Sequence, residues 1–149
     1  MKYRKVLLYL ICLLPWFLGG FLFKSDSNYY YSLTLPFFAP QPFVFAIVWP
    51  ILYLLIAYSI YQVVPLKTSN YKIYLFINYV ANQLYSFCFF TLKNNFLSFV
   101  DVLIVLISSM YLYVETKSLS QKDSKYLIPY IIWNVFALVL SFSIYVMNL

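Results

Sequence analysis

Five long apolar runs divide the chain, at residues 6–23, 43–64, 73–92, 96–115 and 126–147. Charged and turn-forming stretches separate them: Lys24-Ser25-Asp26-Ser27-Asn28, the segment from Pro65 to Lys72, Lys93-Asn94-Asn95, and the segment from Thr116 to Lys125. About 20 apolar residues in a helix cross a hydrocarbon core about 30 Å thick. Barrel strands are about half that length and alternate in polarity. These runs are apolar on both faces, and a helix satisfies its own backbone hydrogen bonds in lipid. The pattern predicts an all-α membrane protein. It is a five-transmembrane-helix bundle in a single domain over residues 1–149, with a long external loop between helices 1 and 2.

The first run follows Lys2, Arg4 and Lys5, which resembles the start of a signal peptide. The run continues to Phe23 without a small-residue cleavage site, so it is read as a retained helix. Lys and Arg set the orientation. Lys2, Arg4, Lys5, Lys67, Lys72, Lys117, Lys122 and Lys125 fall on one side, and only Lys24 and Lys93 on the other. The positive-inside rule then places the N-terminus in the cytoplasm and the C-terminus outside. Residues 24–42 form the external loop, longer than connections usually are without a job. It is rich in aromatic residues and proline: Tyr29, Tyr30, Tyr31, Phe37 and Phe38, with Pro36, Pro40 and Pro42. Such a segment reads either as an interfacial aromatic belt or as a stiff lid over a pocket among the outer helix ends.

Composition narrows the chemistry. The chain is 64% hydrophobic and 9% charged, where soluble domains carry about 25% charged residues. Its mean hydropathy is +0.83. A soluble enzyme, a secreted disulfide scaffold and a disordered tail are excluded. There is no histidine, which removes the commonest metal ligand, the usual general base and an imidazole ligand for haem iron. Cys12 and Cys88 lie far apart in apolar runs, without metal or redox spacing. The two glycines, Gly19 and Gly20, build no phosphate loop. The net charge of +6 reflects topology rather than nucleic-acid binding, because the basic residues sit between spans.

Polar residues inside the spans mark what faces protein. Asn78, Asn82 and Ser86 recur every four residues on one face, with Tyr85 beside it. Amides facing hydrocarbon are costly, so this stripe either bonds neighbouring helices or lines a cavity. Tyr130, Trp133, Asn134, Ala137 and Ser141 form a similar mixed face on the last helix. Asp101 is read as reaching the external interface or pairing with Lys93; a proton-coupling role is the sharper alternative. Pro50 and Pro129 fall within apolar runs and are expected to bend their helices.

Three motifs on these residues resemble one family. The run Tyr30-x-x-Leu33-x-x-Pro36-x-Phe38-x-Pro40, continued by Phe45, Val48-Trp49 and Leu52-Tyr53, is the first. The second is Asn82-x-x-Tyr85-Ser86-x-x-Phe89-Phe90. The third is Leu127-x-Pro129-Tyr130-x-x-Trp133-x-x-Phe136-Ala137, with Met147-Asn148 near the end. Together they resemble the TspO/translocator protein family, the tryptophan-rich sensory proteins or peripheral benzodiazepine receptors, over nearly the whole chain. There are departures. Pro40-Gln41 stands where the family usually has a proline pair, and Tyr29, Phe43 and Tyr85 stand at usual tryptophan positions. Ser141 replaces an asparagine. Tyr145 lacks the following basic residue of the sterol-binding pattern, and the alternative match from Leu106 through Tyr111 to Lys117 is a weak signal.

The abundance of Phe, Tyr, Ile, Lys and Asn points to an AT-rich bacterial source and so to a bacterial cell membrane. The resemblance implies a homodimer, with a pocket under the loop between helices 1 and 2. It implies binding of protoporphyrin-type tetrapyrroles and of synthetic isoquinoline carboxamides, with no required cofactor and no metal. The implied ligand-binding residues are Tyr30, Pro42, Phe45, Trp49, Asn78, Asn82, Phe89, Trp133 and Ala137. Trp49 and Trp133 match tryptophans that take part in light- and oxygen-dependent porphyrin breakdown in bacterial relatives. Aromatic rings stack on a porphyrin face and amides donate to its polar groups. Two function classes follow: a tetrapyrrole receptor or sensor, and a transporter of porphyrins or other lipophiles. Transporters usually carry internal repeats, and these five unequal spans show none.

Overall fold

The computed structural model describes residues 2–63 and 69–149. The expected boundary at Val64 and Pro65 and the cation Lys67 lie outside the described residues. Within them the chain is helical, with no strand. The helices are α1 (Lys2–Leu13), α2 (Leu18–Leu22), α3 (Ser27–Ser32), α4 (Pro42–Val63), α5 (Ser69–Ser86), α6 (Asn95–Leu119), α7 (Gln121–Ser124) and α8 (Ile128–Met147). Among the described residues, four stretches are long and apolar enough to cross a membrane: Tyr3–Leu22, Pro42–Val63, Asn95–Leu119 and Gln121–Met147. α5 fills the place of the remaining expected span, but it carries Asn70, Lys72, Asn78, Asn82 and Gln83 and is less apolar. It packs against α2 and α6. A wider π turn, Phe87–Thr91, extends it toward α6.

The first run is not one straight helix, as the sequence led us to expect. Pro15 sits in a tighter 3-10 stretch, Leu14–Phe17, which separates α1 from α2. A break in a membrane helix frees backbone groups that lipid cannot satisfy. α5 satisfies them. The Tyr79 hydroxyl donates to the Pro15 carbonyl at 3.0 Å, and Gln83 Nε2 donates to the Trp16 carbonyl at 3.3 Å. Gln83 Oε1 accepts from the Gly19 N–H. Trp16 is thereby turned inward and buried, its ring against Tyr53 and Tyr79. Pro129 differs from expectation too. It lies in the first turn of α8, where a missing N–H costs little, so it starts that helix rather than bending it. Pro50 is inside α4 as expected.

The helix ends sort into two layers. At one end the Ser59 hydroxyl donates to the Asp123 carbonyl at 3.1 Å, and Tyr58 packs on Tyr9 and on Tyr126. This end gathers the start of α1, the end of α4 and the α6–α8 connection, and with them most of the basic residues. At the other end lie the segment from Phe23 to Gln41, the α5–α6 turn and the C-terminus. The expected loop is not irregular throughout. Asp26 caps α3 by accepting from the Tyr29 N–H at 3.0 Å. An ion pair of Asp26 with Lys93 (3.6 Å) and a Tyr29–Asn95 hydrogen bond (3.2 Å) hold α3 on the α5–α6 turn. The Asn148 side chain pairs with both backbone groups of Thr34, at 2.8 and 2.9 Å. Lys93 therefore pairs with Asp26 and not with Asp101, which is buried in α6 with Oδ2 lacking a partner among the described residues.

Candidate functional site

The helix ends next to the Phe23–Gln41 segment surround a cavity of about 470 Å³. Ligand sites usually measure about 300–1,000 Å³. α4 contributes a column of side chains at four-residue spacing, Phe45, Trp49 and Tyr53, which a helix stacks on one face. α5 and its π turn add Asn82, Tyr85, Ser86 and Phe89, and α8 adds Leu140 and Ile144. α3 and the start of α4 form the roof with Tyr30 and Pro42. Tyr30 is 5% exposed, its hydroxyl donates to the Pro40 carbonyl at 2.9 Å, and its ring meets Phe45 edge-on at 5.9 Å. Burial pushes the Tyr29 and Tyr30 phenols above their ordinary pKa, so both stay neutral hydrogen-bonding groups. Among the described residues, no charged side chain lines this cavity.

A small annex of about 30 Å³ adjoins it behind Trp49, lined by Trp133, Asn134, Ala137 and Ser141 of α8 together with Val102 and Val105 of α6. Phe45, Trp49, Asn82, Tyr85 and Leu140 line both spaces. The Trp49 and Trp133 rings meet edge to face, centroids 6.4 Å apart and planes at 87°. Trp133 Nε1 is buried with no hydrogen-bond partner among the described residues.

A buried polar network holds these walls in register. Asn82 Nδ2 donates to the Tyr130 hydroxyl at 3.2 Å, and its Oδ1 accepts from the Tyr53 hydroxyl at 3.1 Å. The Tyr130 hydroxyl donates in turn to Asn78 Oδ1 at 3.1 Å. Asn78 Nδ2 donates to the Val105 carbonyl and the Ser108 hydroxyl, both at 3.0 Å. The network ties α4, α5, α6 and α8 together, each bond contributing roughly 0.6–2 kcal/mol in a membrane.

The model of the TspO/MBR family matches residues 7–147, and so takes in every wall of this cavity. The chain belongs to the TspO/MBR family. It is similar to the tryptophan-rich protein TspO of Bacillus cereus, 32% identical over 99% of each chain. It is also similar to the uncharacterized membrane protein YtaB of Bacillus subtilis, 38% identical over 88% of this chain and 87% of that one. The tryptophan-rich protein TspO of Archaeoglobus fulgidus is 31% identical over 84% and 83%.

For this TspO/MBR chain, the structure sorts the expected site residues into three places. Tyr30, Pro42, Phe45, Trp49, Asn82 and Phe89 line the main cavity. Trp133 and Ala137 line the annex. Asn78 lines neither: it is fully buried and its amide is spent on α6 and Tyr130. Sequence reasoning left out Phe17, Gly20, Phe43, Tyr53, Tyr85 and Leu140. Tyr53 was accessible through the four-residue step from Trp49, and Tyr85 through its place beside the asparagine stripe. Phe17 and Gly20 reach the cavity only because the chain breaks at Pro15.

Proposed function

We propose that this protein is a five-span membrane receptor that binds porphyrins in the roofed cavity, α5 being the fifth span. The observation that carries the reading is the cavity itself: about 470 Å³, walled by the rings of Tyr30, Phe45, Trp49, Tyr53, Tyr85 and Phe89, and free of charge. Flat aromatic walls suit a large planar π-system. An uncharged interior suits the macrocycle and not its acidic arms. The arms belong at the rim, where Ser25 and Ser27 line the mouth next to Lys24. With no histidine in the chain, metal-free porphyrin suits the site at least as well as haem. The N-terminus lies in the cytoplasm and the cavity lies in the external half of the bundle, following the uneven distribution of basic residues.

Light adds a reaction to this binding site. Trp49, which lines the cavity, and Trp133, edge to face behind it, are the oxidisable groups: one electron passes to the photoexcited porphyrin, the tryptophyl radical cation left behind loses its N–H proton, and the porphyrin radical anion adds dioxygen, the oxidant that consumes the macrocycle. Binding and photochemistry separate in one experiment. Protoporphyrin is titrated in the dark into the purified protein and into Ala137→Leu, with an isoquinoline carboxamide as competitor. The expected result is saturable binding that the competitor displaces. Ala137→Leu overfills the annex and pushes Trp49 and Phe45, which line both spaces, into the cavity, so it should weaken binding about tenfold, or roughly 1.4 kcal/mol. Equal affinity in both proteins would put the ligand elsewhere.

A further inference from the structure

The first transmembrane run changes partner halfway along. α1 packs along α4, but beyond the Pro15 break α2 packs on α5, where Gln83 holds Gly19 and Trp16. Phe17 makes the last ring contact with α4, edge-on against Tyr53 at 5.3 Å. Above that contact a slot opens between α2 and the first half of α4. Phe17 and Gly20 edge it on one side, and Phe43, Ala46 and Pro50 on the other, and all five line the cavity. A Cβ placed on Gly20 meets nothing within 4 Å.

What lies outside the slot is apolar. Leu18, Phe21 and Leu22 on α2, and Phe43, Ile47 and Ile51 on α4, are all exposed. These residues belong to stretches long and apolar enough to cross a membrane. Exposed apolar surface at that depth faces acyl chains, so the slot is continuous with the lipid-facing surface. The side toward water is tied down. Asp26 pairs with Lys93, Tyr29 bonds Asn95, Tyr30 bonds the Pro40 carbonyl, and Asn148 holds Thr34.

We propose that the cavity opens sideways to the bilayer through the slot between α2 and α4, that lipid hydrocarbon fills the slot, and that ligands enter from the hydrocarbon phase rather than from water. Only the identity of the ligand rests on the porphyrin reading. The slot fits a flat or extended apolar molecule already dissolved in the membrane, because its edges offer rings, one bare backbone and no charge.

The test uses tryptophan as the reporter of what reaches the cavity. A protein that keeps Trp49 alone, by Trp16→Phe and Trp133→Phe, is reconstituted in phosphatidylcholine vesicles with brominated acyl chains. Bromine on the chains should quench at least half of the Trp49 emission, and aqueous iodide should quench little. Gly20→Phe fills the slot from α2 and Ala46→Leu fills it from α4. Either should cut the bromine quenching by about half, and each should slow protoporphyrin uptake from vesicles by roughly fivefold. Having two closures keeps the test open if one variant fails to fold. Bromine quenching that neither closure reduces, or iodide quenching stronger than bromine quenching, would overturn the proposal. Quenching that follows the closures in a protein that takes up no porphyrin would support the portal and remove the porphyrin reading alone.

Discussion

Gly19→Ala probes the contact that sets the course of the first helix. A Cβ there lies 2.7 Å from Gln83 Oε1, 3.1 Å from the Gln83 carbonyl oxygen and 3.2 Å from its Cα. The side-chain amide can swing away, but the backbone of α5 cannot, so α2 has to retreat by a few tenths of an ångström. Retreat lengthens two of the three bonds that satisfy the broken helix, Gly19 N–H to Gln83 Oε1 and Gln83 Nε2 to the Trp16 carbonyl. Two interhelical bonds in a membrane contribute about 1–3 kcal/mol together. Replacing glycine by alanine in a helix returns up to about 1 kcal/mol. The net expectation is a loss of roughly 0.5–2 kcal/mol. Gly20→Ala is the internal control, since it has the same helix preference and open space around its Cβ. It should be neutral or stabilising. Reversible unfolding of both variants by sodium dodecyl sulfate in mixed micelles gives the comparison. In a Gln83→Leu background, where the bonds are already gone, the Gly19→Ala penalty should shrink. Equal stability of Gly19→Ala and Gly20→Ala would refute the reasoning, because the two positions differ only in what their Cβ meets.

The remaining expectations concern the site and its roof. Trp49→Phe and Trp133→Phe should each cost at most about 0.5–1.5 kcal/mol of porphyrin binding while light-driven loss of the porphyrin absorption band falls steeply; bleaching at the parent rate by the double variant would remove the electron-donor role. Asp26 is held below the ordinary carboxylate value of 3.8, first by the Tyr29 N–H and then by Lys93. Its contribution to the roof is therefore present above that value and lost as pH falls through the lower, folded-state one. Limited proteolysis of residues 24–41 should stay slow down to about pH 4 and quicken below it, and Asp26→Asn should flatten that profile. A cysteine placed at Ser27, with Cys12 and Cys88 replaced by serine, should react with a membrane-impermeant maleimide on intact cells; reaction only after permeabilisation would reverse the orientation.

Much of the architecture was legible because lipid imposes simple rules. Apolar run length placed the helices, and each predicted run from the second onward overlaps one of α4, α5, α6 and α8, though α5 begins four residues earlier and α6 ends four residues later than its run. The α5 asparagines were readable as facing protein, since an amide at that depth needs a partner. Which partner it takes was not readable: Asn78 and Asn82 sit one turn apart, yet one is consumed by α6 and the other reaches the cavity. The shape of the first helix was missed. Pro15 lies in a run apolar enough to hide a break, and its consequence depends on Tyr79 and Gln83, some 64 positions away. Asp101 was misread for a similar reason. Its expected partner Lys93 is taken by Asp26, a residue near it only after the loop folds back.

Whether porphyrin occupies the aromatic cavity is tested most directly by tryptophan quenching in the dark. The protein keeping Trp49 alone is reconstituted in vesicles and titrated with protoporphyrin, and empty vesicles carrying a membrane-dissolved tryptophan ester serve as reference. Trp49 lines the cavity beside Phe45 and Tyr53. Porphyrin in the cavity should give quenching that saturates at one porphyrin per chain, is reversed by an isoquinoline carboxamide, and is weakened by Ala137→Leu. Quenching that rises without saturation, in parallel with the empty vesicles, would mean that porphyrin only dissolves in the bilayer around the protein, and would contradict the assignment.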